Sequence, residues 1–211
     1  MTVTPSAALR FRWLDALLPE VAFDGWTEEA AAKAADAAGL TAGERALAAP
    51  GGVTDLIDAF FDRAGEAARD SLAAQDLSGL NTPGRVRAGV LAWLAALEPH
   101  REAVRRAAIK GMLPWSAAPA LQRSWTVADM VWETAGDTAE DYNRYSKRGL
   151  LAAVLPPIVM RWLDNPPEDE LQAYIDRRLA QASGIGRNLG RLARPLLDVL
   201  PVPRTNRSGT S

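Results

Sequence analysis

Apolar residues recur along this chain at spacings of three and four, and no stretch alternates strictly between apolar and polar positions, so the pattern predicts helices throughout. Leu9, Trp13, Leu14 and Leu17 mark a first helix over 6–18 that Pro19 is expected to break, with VAFDG as a turn. Thr27 reads as the N-cap of a second helix, Glu28 and Glu29 as its dipole-favoured first turn, and Gly39 as its stop. Thr41 opens a short third helix that Pro50-Gly51-Gly52 ends, and a fourth starts near Thr54 with Leu56, Ile57, Phe60 and Phe61. Thr82-Pro83 reads as a cap followed by proline at the first helical position, ahead of a core stripe of Val86, Val90, Trp93, Leu94 and Leu97. Pro99 begins a helix that ends near Gly111. The helix over 118–135 is apolar on two sides, with Leu121, Trp125, Ala128 and Trp132 on one and Val127, Val131 and Thr134 on the other, and should be central. Gly136 stops it.

A long helix over 138–164 carries the strongest stripe, from Tyr142 and Tyr145 through Leu151, Val154, Leu155, Ile158 and Val159 to Trp162 and Leu163. Pro156-Pro157 inside it should kink it, because each removes a backbone donor. Another helix covers 167–182. The class is all-α, and four segments are expected: an N-terminal unit (6–75), a bundle (82–182), an amphipathic helix (184–200) and a disordered tail (201–211).

Composition narrows the chemistry. There is no cysteine, which removes disulfides, thiolate metal sites and a cysteine nucleophile. The single histidine, His100, sits in Glu98-Pro99-His100-Arg101, without the Glu-x-x-His spacing of di-iron bundles. Neither a metal, a cofactor nor independent catalysis is expected. The start, MTVTPSAALRFRW, has two arginines and no acid before Asp15, a faint likeness to a transit peptide. It runs straight into the first helix and reads as part of the fold. No apolar stretch reaches the roughly 20 residues that span a bilayer, so a cytoplasmic compartment is expected.

The net charge of −2 is unevenly spread: residues 177–211 hold seven Arg and one Asp, leaving the remainder at −8. A basic tail on an acidic body points to an anionic partner for the tail.

Three short helices followed by a longer one resemble the helix-turn-helix end of TetR repressors. Between Trp26 and Phe60, however, Glu28, Glu29, Asp36, Glu44, Asp55 and Asp58 face only Lys33 and Arg45, and that balance repels a duplex. No nucleic acid is expected as a partner, and a TetR-type regulator with a lipophilic ligand is the alternative reading.

Two segments carry more. In GIGRNLGRLARPLLDVLPVP, Leu189, Leu192, Leu196, Leu197 and Leu200 share one helical face while Arg187, Arg191 and Arg194 take the other, a pattern suited to a membrane surface or to packing as a last bundle helix. Gly184, Gly186 and Gly190 suggest a hinged attachment, and Pro195 a weakened helix. In WETAGDTAEDYNRYSKRGLLAAVLPPIVMRWLDN, Gly136 is a stop, Asp137 or Thr138 a cap, and Glu140 and Asp141 first-turn acids.

That second segment closely resembles the C-terminal signature of the ubiquinone (coenzyme Q) biosynthesis accessory lipid-binding proteins, the ninth family of the COQ series. The matching residues are Trp132, Ala135, Gly136, Asp137, Asp141, Asn143, Tyr145, Ser146, Lys147 and Arg148, then Trp162-Leu163-Asp164, with Tyr174-Ile175-Asp176-Arg177-Arg178 further on. Arg144 stands where the family often has an aromatic residue, and Ser146 where threonine is usual. The resemblance implies a TetR-like fold without DNA binding, usually homodimeric. It also implies an isoprenoid quinone intermediate or phospholipid held in a bundle pocket, here against Trp125, Val131, Trp132, Leu151, Val154, Leu155 and Ile158. It further implies a patch of Asp137, Asp141, Tyr142, Asn143, Arg144, Tyr145, Lys147 and Arg148 that meets the demethoxyubiquinone hydroxylase. A final amphipathic helix would touch the membrane, for a bacterial protein the inner face of the plasma membrane.

Overall fold

The computed structural model describes residues 4–111, 117–137 and 142–197. Among them the regular structure is entirely helical: α1 (Pro5–Asp24), α2 (Glu28–Ala37), α3 (Ala42–Ala48), α4 (Val53–Ala73), α5 (Thr82–Leu97), a 3₁₀ turn (Glu98–His100), α6 (Arg101–Gly111), α7 (Ala117–Thr134), α8 (Tyr142–Leu163) and α9 (Glu168–Leu197). Helix α1 packs on α2, α3, α4 and α6, while α4 pairs with α5, α7 with α8, and α8 with α9. One continuous core runs from Trp13 on α1 to Ile175 on α9, so the 6–75 and 82–182 segments share their interior. Two tryptophans tie it across elements: Trp13 Nε1 donates to the Ala31 carbonyl at 2.7 Å and Trp26 Nε1 to the Ala103 carbonyl at 2.8 Å.

Most helix ends follow the sequence signals. Thr27 accepts from the Ala30 amide, and Thr41 forms a reciprocal capping box with Glu44. Gly39 and Gly136 both adopt positive φ and close Schellman-type ends, with Leu40 N bonded to Ala35 O and Asp137 N to Trp132 O. Four expectations need correction. Pro19 does not end α1, which continues to Asp24; burial of Leu18 and Val21 offsets the roughly 3 kcal/mol that an internal proline costs. The cap of α5 is Asn81, whose side chain accepts from Gly84 N at 2.9 Å, so Pro83 lies one residue deeper than expected. Tyr145 is 62% exposed and leaves the α8 stripe, as Leu121 at 65% leaves that of α7. Finally, 167–182 and 184–200 are not hinged apart: α9 runs unbroken through Gly184, Gly186, Gly190 and Pro195, because an internal glycine costs only about 1 kcal/mol and does not force a stop. Residue 198 onward, Leu200 and the expected tail included, lies outside the described residues.

Helix α2, the turn through Gly39 and α3 make a helix-turn-helix, yet its acids are committed to structure. Gly52 precedes α4 with no capping side chain, and Glu28 fills that role from a distance, its Oε1 accepting from Val53 N at 3.1 Å. Asp55 accepts from Gly51 N at 2.7 Å, and Asp36 pairs with Arg45, whose Nε also donates to the Leu40 carbonyl. The exposed positions of α3 are Ala42, Gly43, Ala46 and Leu47, none of which has a side chain that can neutralise a phosphate.

Replacing Glu28 with Ala should therefore lower stability by roughly 1 kcal/mol, through loss of the α4 cap. Thermal unfolding followed by circular dichroism checks this; an unchanged midpoint would mean that water caps α4 equally well.

Candidate functional site

Among the described residues, two clefts of ligand size lie in the bundle. The first, of about 510 Å³, lies between α4, α5, α6, α7 and α8 and falls in the range of ligand pockets. Phe61, Trp93 and Val104 form part of its wall, and Leu155, Pro156, Pro157, Val159 and Met160 of α8 line another side. Its space comes from small residues on the facing helices: Ala107, Ala108 and Gly111 of α6 and Ala120 of α7. Helix α8 is assigned as one helix through Pro156-Pro157, where the cleft meets it. Arg123 and Ser124, neighbours on α7, are the polar side chains of this wall. Trp93 buries its Nε1 without an acceptor among the described residues, a costly arrangement for an indole.

The second cleft, of about 690 Å³, lies where the start of α5 and the end of α7 meet α8 and α9. Trp132, Leu150, Leu151 and Leu179 give it an apolar floor, and Arg87, Lys147 and Asp176 charge its rim.

Of the sequence-predicted lipid residues, Leu155 lines the first cleft and Trp132 and Leu151 the second. Val131 and Ile158 have no exposed surface and serve as core, with Val131 against Gly89. Trp125 is half-buried and stacks on Tyr145 at 6.4 Å between centroids, while Val154 packs half-buried on the core. The pattern missed Phe61, Trp93 and Val104, because a cleft bounded by alanines on α6 and α7 leaves no periodic mark of its own.

Three residues of the predicted partner patch, Asp137, Lys147 and Arg148, form an internal lock. Arg148 is 1% exposed; its Nε donates to Asp129 and its Nη1 to Asp137 at 3.1 Å. Lys147 Nζ reaches the other oxygen of Asp137 at 2.7 Å and sits 5.2 Å from the centre of the Trp132 ring, whose Nε1 donates to the Lys147 carbonyl. A guanidinium committed to two carboxylates in the interior is closed to a partner, and the nearly buried Asp137 is closed with it. Asp137 is thus a counter-ion, not simply a helix cap. Tyr145 remains at the surface; the side chains of Tyr142, Asn143 and Arg144, and the whole of Thr138, Glu140 and Asp141, lie outside the described residues. The same holds for the side chains of Arg187, Leu189, Arg191, Leu192, Arg194, Leu196 and Leu197, whose backbone belongs to α9.

Electrostatics follow this geometry. Burial works against the charged form of Asp137, but hydrogen bonds from Lys147 and Arg148 outweigh it and hold the carboxyl below its ordinary range. Burial likewise opposes charge on Arg148, and the bonds to Asp129 and Asp137 raise it regardless. His100, packed edge-on to Phe60 at 6.0 Å, is held below its ordinary value by burial and by Arg63, so its imidazole is neutral near pH 7.

A family model described as COQ9 matches residues 117–186. The chain carries a COQ9 domain. That domain holds the whole Arg148 lock and the α7 and α8 walls of both clefts. The chain is similar to the ubiquinone biosynthesis protein COQ9, mitochondrial, of Bos taurus, with 27% identity over 187 residues covering 84% of this chain and 58% of that protein. The Homo sapiens protein of the same name is 28% identical, with the same coverage. The chain therefore spans less than two thirds of the length of these relatives. Among solved structures, a TetR transcriptional regulator from Nitrosomonas europaea is similar, with a TM-score of 0.63, 20% identity, and 83% of this chain and 98% of that one covered. The fold is TetR-like.

Replacing Arg148 with Met should cost roughly 1.5–3 kcal/mol, because Asp129 and Asp137 lose a charged donor and Asp137 keeps only Lys147, and adding Asp137→Asn should recover part of it. The pH dependence has a definite sign. A carboxyl held below its ordinary value stabilises the fold above about pH 4 and loses that contribution as pH falls toward its lower native value. Asp137→Asn should flatten the acid limb of a stability-versus-pH curve.

Proposed function

We propose that this protein is a non-catalytic accessory protein of ubiquinone biosynthesis. It holds an isoprenoid quinone intermediate or a phospholipid in the first cleft and presents it to a demethoxyubiquinone hydroxylase at a membrane surface. The observation that carries this reading is the cleft itself: an apolar space opened by alanines and bounded by Pro156-Pro157, with its α7 and α8 walls in the COQ9 domain. The names of the bovine and human relatives supply the pathway. A homodimer, and a place at the inner face of a bacterial plasma membrane, belong to the same proposal. Among the described residues no helix is long and apolar enough to cross a membrane, so contact would be made from one side. The arginine-leucine end of α9 suits that contact: its guanidiniums reach lipid phosphates and its leucines enter the acyl boundary.

The fold likeness to a TetR regulator favours a repressor as the second reading. The committed acids of α2–α4 and the uncharged outer positions of α3 argue against it.

Gentle purification followed by native mass spectrometry should show a co-purified quinone precursor or phospholipid; protein that is consistently lipid-free would overturn the reading. Replacing Leu192 and Leu196 with Asp should abolish flotation with anionic liposomes and leave the helical circular-dichroism signal intact. Loss of the fold instead would assign that end of α9 to the core.

A further inference from the structure

Among the described residues, the lining of the first cleft is apolar apart from the Trp93 indole N–H, Ser124 and one charged corner. There Arg123, its side chain 15% exposed, donates through Nη1 to Asp58 at 2.7 Å. A guanidinium carries five N–H donors in a fixed fork, and this ion pair uses one. Arg123 also lines a small recess of about 170 Å³ behind the cleft, together with Asp62, Glu66 and Arg69. Asp58, Asp62 and Glu66 follow one another at four-residue intervals on α4 and so share one face. Arg69 is partly committed to Glu133, 4.0 Å away.

The corner therefore offers spare N–H donors in a setting with an excess of negative charge. Its acidic character has a physical signature: burial and the charges of Asp58 and Glu66 push the Asp62 carboxyl above its ordinary range. A carboxylate or phosphate entering here would compete with Asp58 for Arg123 and meet the other acids undiluted. A neutral oxygen would accept a charge-assisted hydrogen bond and leave the Asp58 pair intact. A plain hydrocarbon would leave those donors unused.

Building on the lipid-binding reading above, we propose that Arg123 is the specificity-determining residue of the first cleft. It selects an uncharged lipid that carries a ketone, ester or phenolic oxygen at one end, and the carboxylates of α4 exclude anionic lipids. The tail of such a ligand lies along Leu155, Val159 and Met160. By this assignment phospholipids and free fatty acids are not cargo of this cleft, so the quinone-type alternative is the one retained.

Three probes of equal chain length test this on the whole protein: 2-dodecanone, dodecanoate and dodecane, with affinities measured by isothermal titration calorimetry. The native protein should bind 2-dodecanone about tenfold more tightly than either of the others, the scale of one hydrogen bond to a charged group. Arg123→Met should bring 2-dodecanone to or below the affinity of dodecane, its carbonyl being left without a donor, while dodecane still binds, which also shows that the cleft survives the substitution. Asp62→Asn with Glu66→Gln should strengthen dodecanoate several-fold without altering dodecane. Equal binding of ketone and alkane by the native protein, or tightest binding of dodecanoate, overturns the selectivity and leaves lipid binding standing. Failure of all three probes overturns both. If Arg123→Met fails to fold, the ranking of the three probes on the native protein still decides.

Discussion

A single buried cation governs how the C-terminal half is assembled. Arg148 enters an apolar interior, where an unpaired charge would be prohibitive, and only the joint presence of Asp129 on α7 and Asp137 beyond its end makes this tolerable. Since those two carboxylates flank the Gly136 turn, the pairing fixes the angle at which α8 returns along α7. The faces of α8 that bound the two clefts are set by that angle. The Trp132–Lys147 contacts reinforce it from the solvent side.

At the other end, α8 is finished by α6. Arg101 lies 4.3 Å above the Trp162 ring and donates to the Trp162 carbonyl; Arg105 donates to Leu163 O at 2.6 Å, and Trp162 Nε1 reaches Glu98 at 3.1 Å. The Leu163 carbonyl at the helix end is thus given a donor, and the Trp162 carbonyl, which also accepts from Asn165 N, a second one. Helix α8 is held firmly at both ends and carries its two prolines in between, facing the opening.

Much of the fold was legible in the sequence because local signals and burial agree. Thr27, Gly39, Thr41 and Gly136 do what their chemistry favours, and the stripe from Val86 to Leu97 is buried as its spacing implies. Where tertiary burial competes with local chemistry, the local signal lost, as Leu18 and Val21 carry α1 past Pro19; and α9 passes through three glycines because none of them forces a stop. The site was less legible. Conspicuous motif residues such as Asp137 and Arg148 hold the scaffold together, whereas the cleft is defined by absent side-chain volume at Ala107, Ala108 and Ala120. An alanine that leaves room reads the same as one that merely favours a helix. The cap that Glu28 lends to α4 across 25 positions was equally invisible, since no local pattern encodes a distant acceptor.

The unbroken course of α9 has a mechanical meaning. Thirty residues at 1.5 Å each make a rod of about 45 Å, anchored to the body from Ile175 to Ala182 and reaching roughly 20 Å past it. Torque applied at the far end is delivered to the α8–α9 seam instead of being absorbed by a swivel. One inserted residue near Gly184 would rotate the backbone beyond it by about 100° relative to the body.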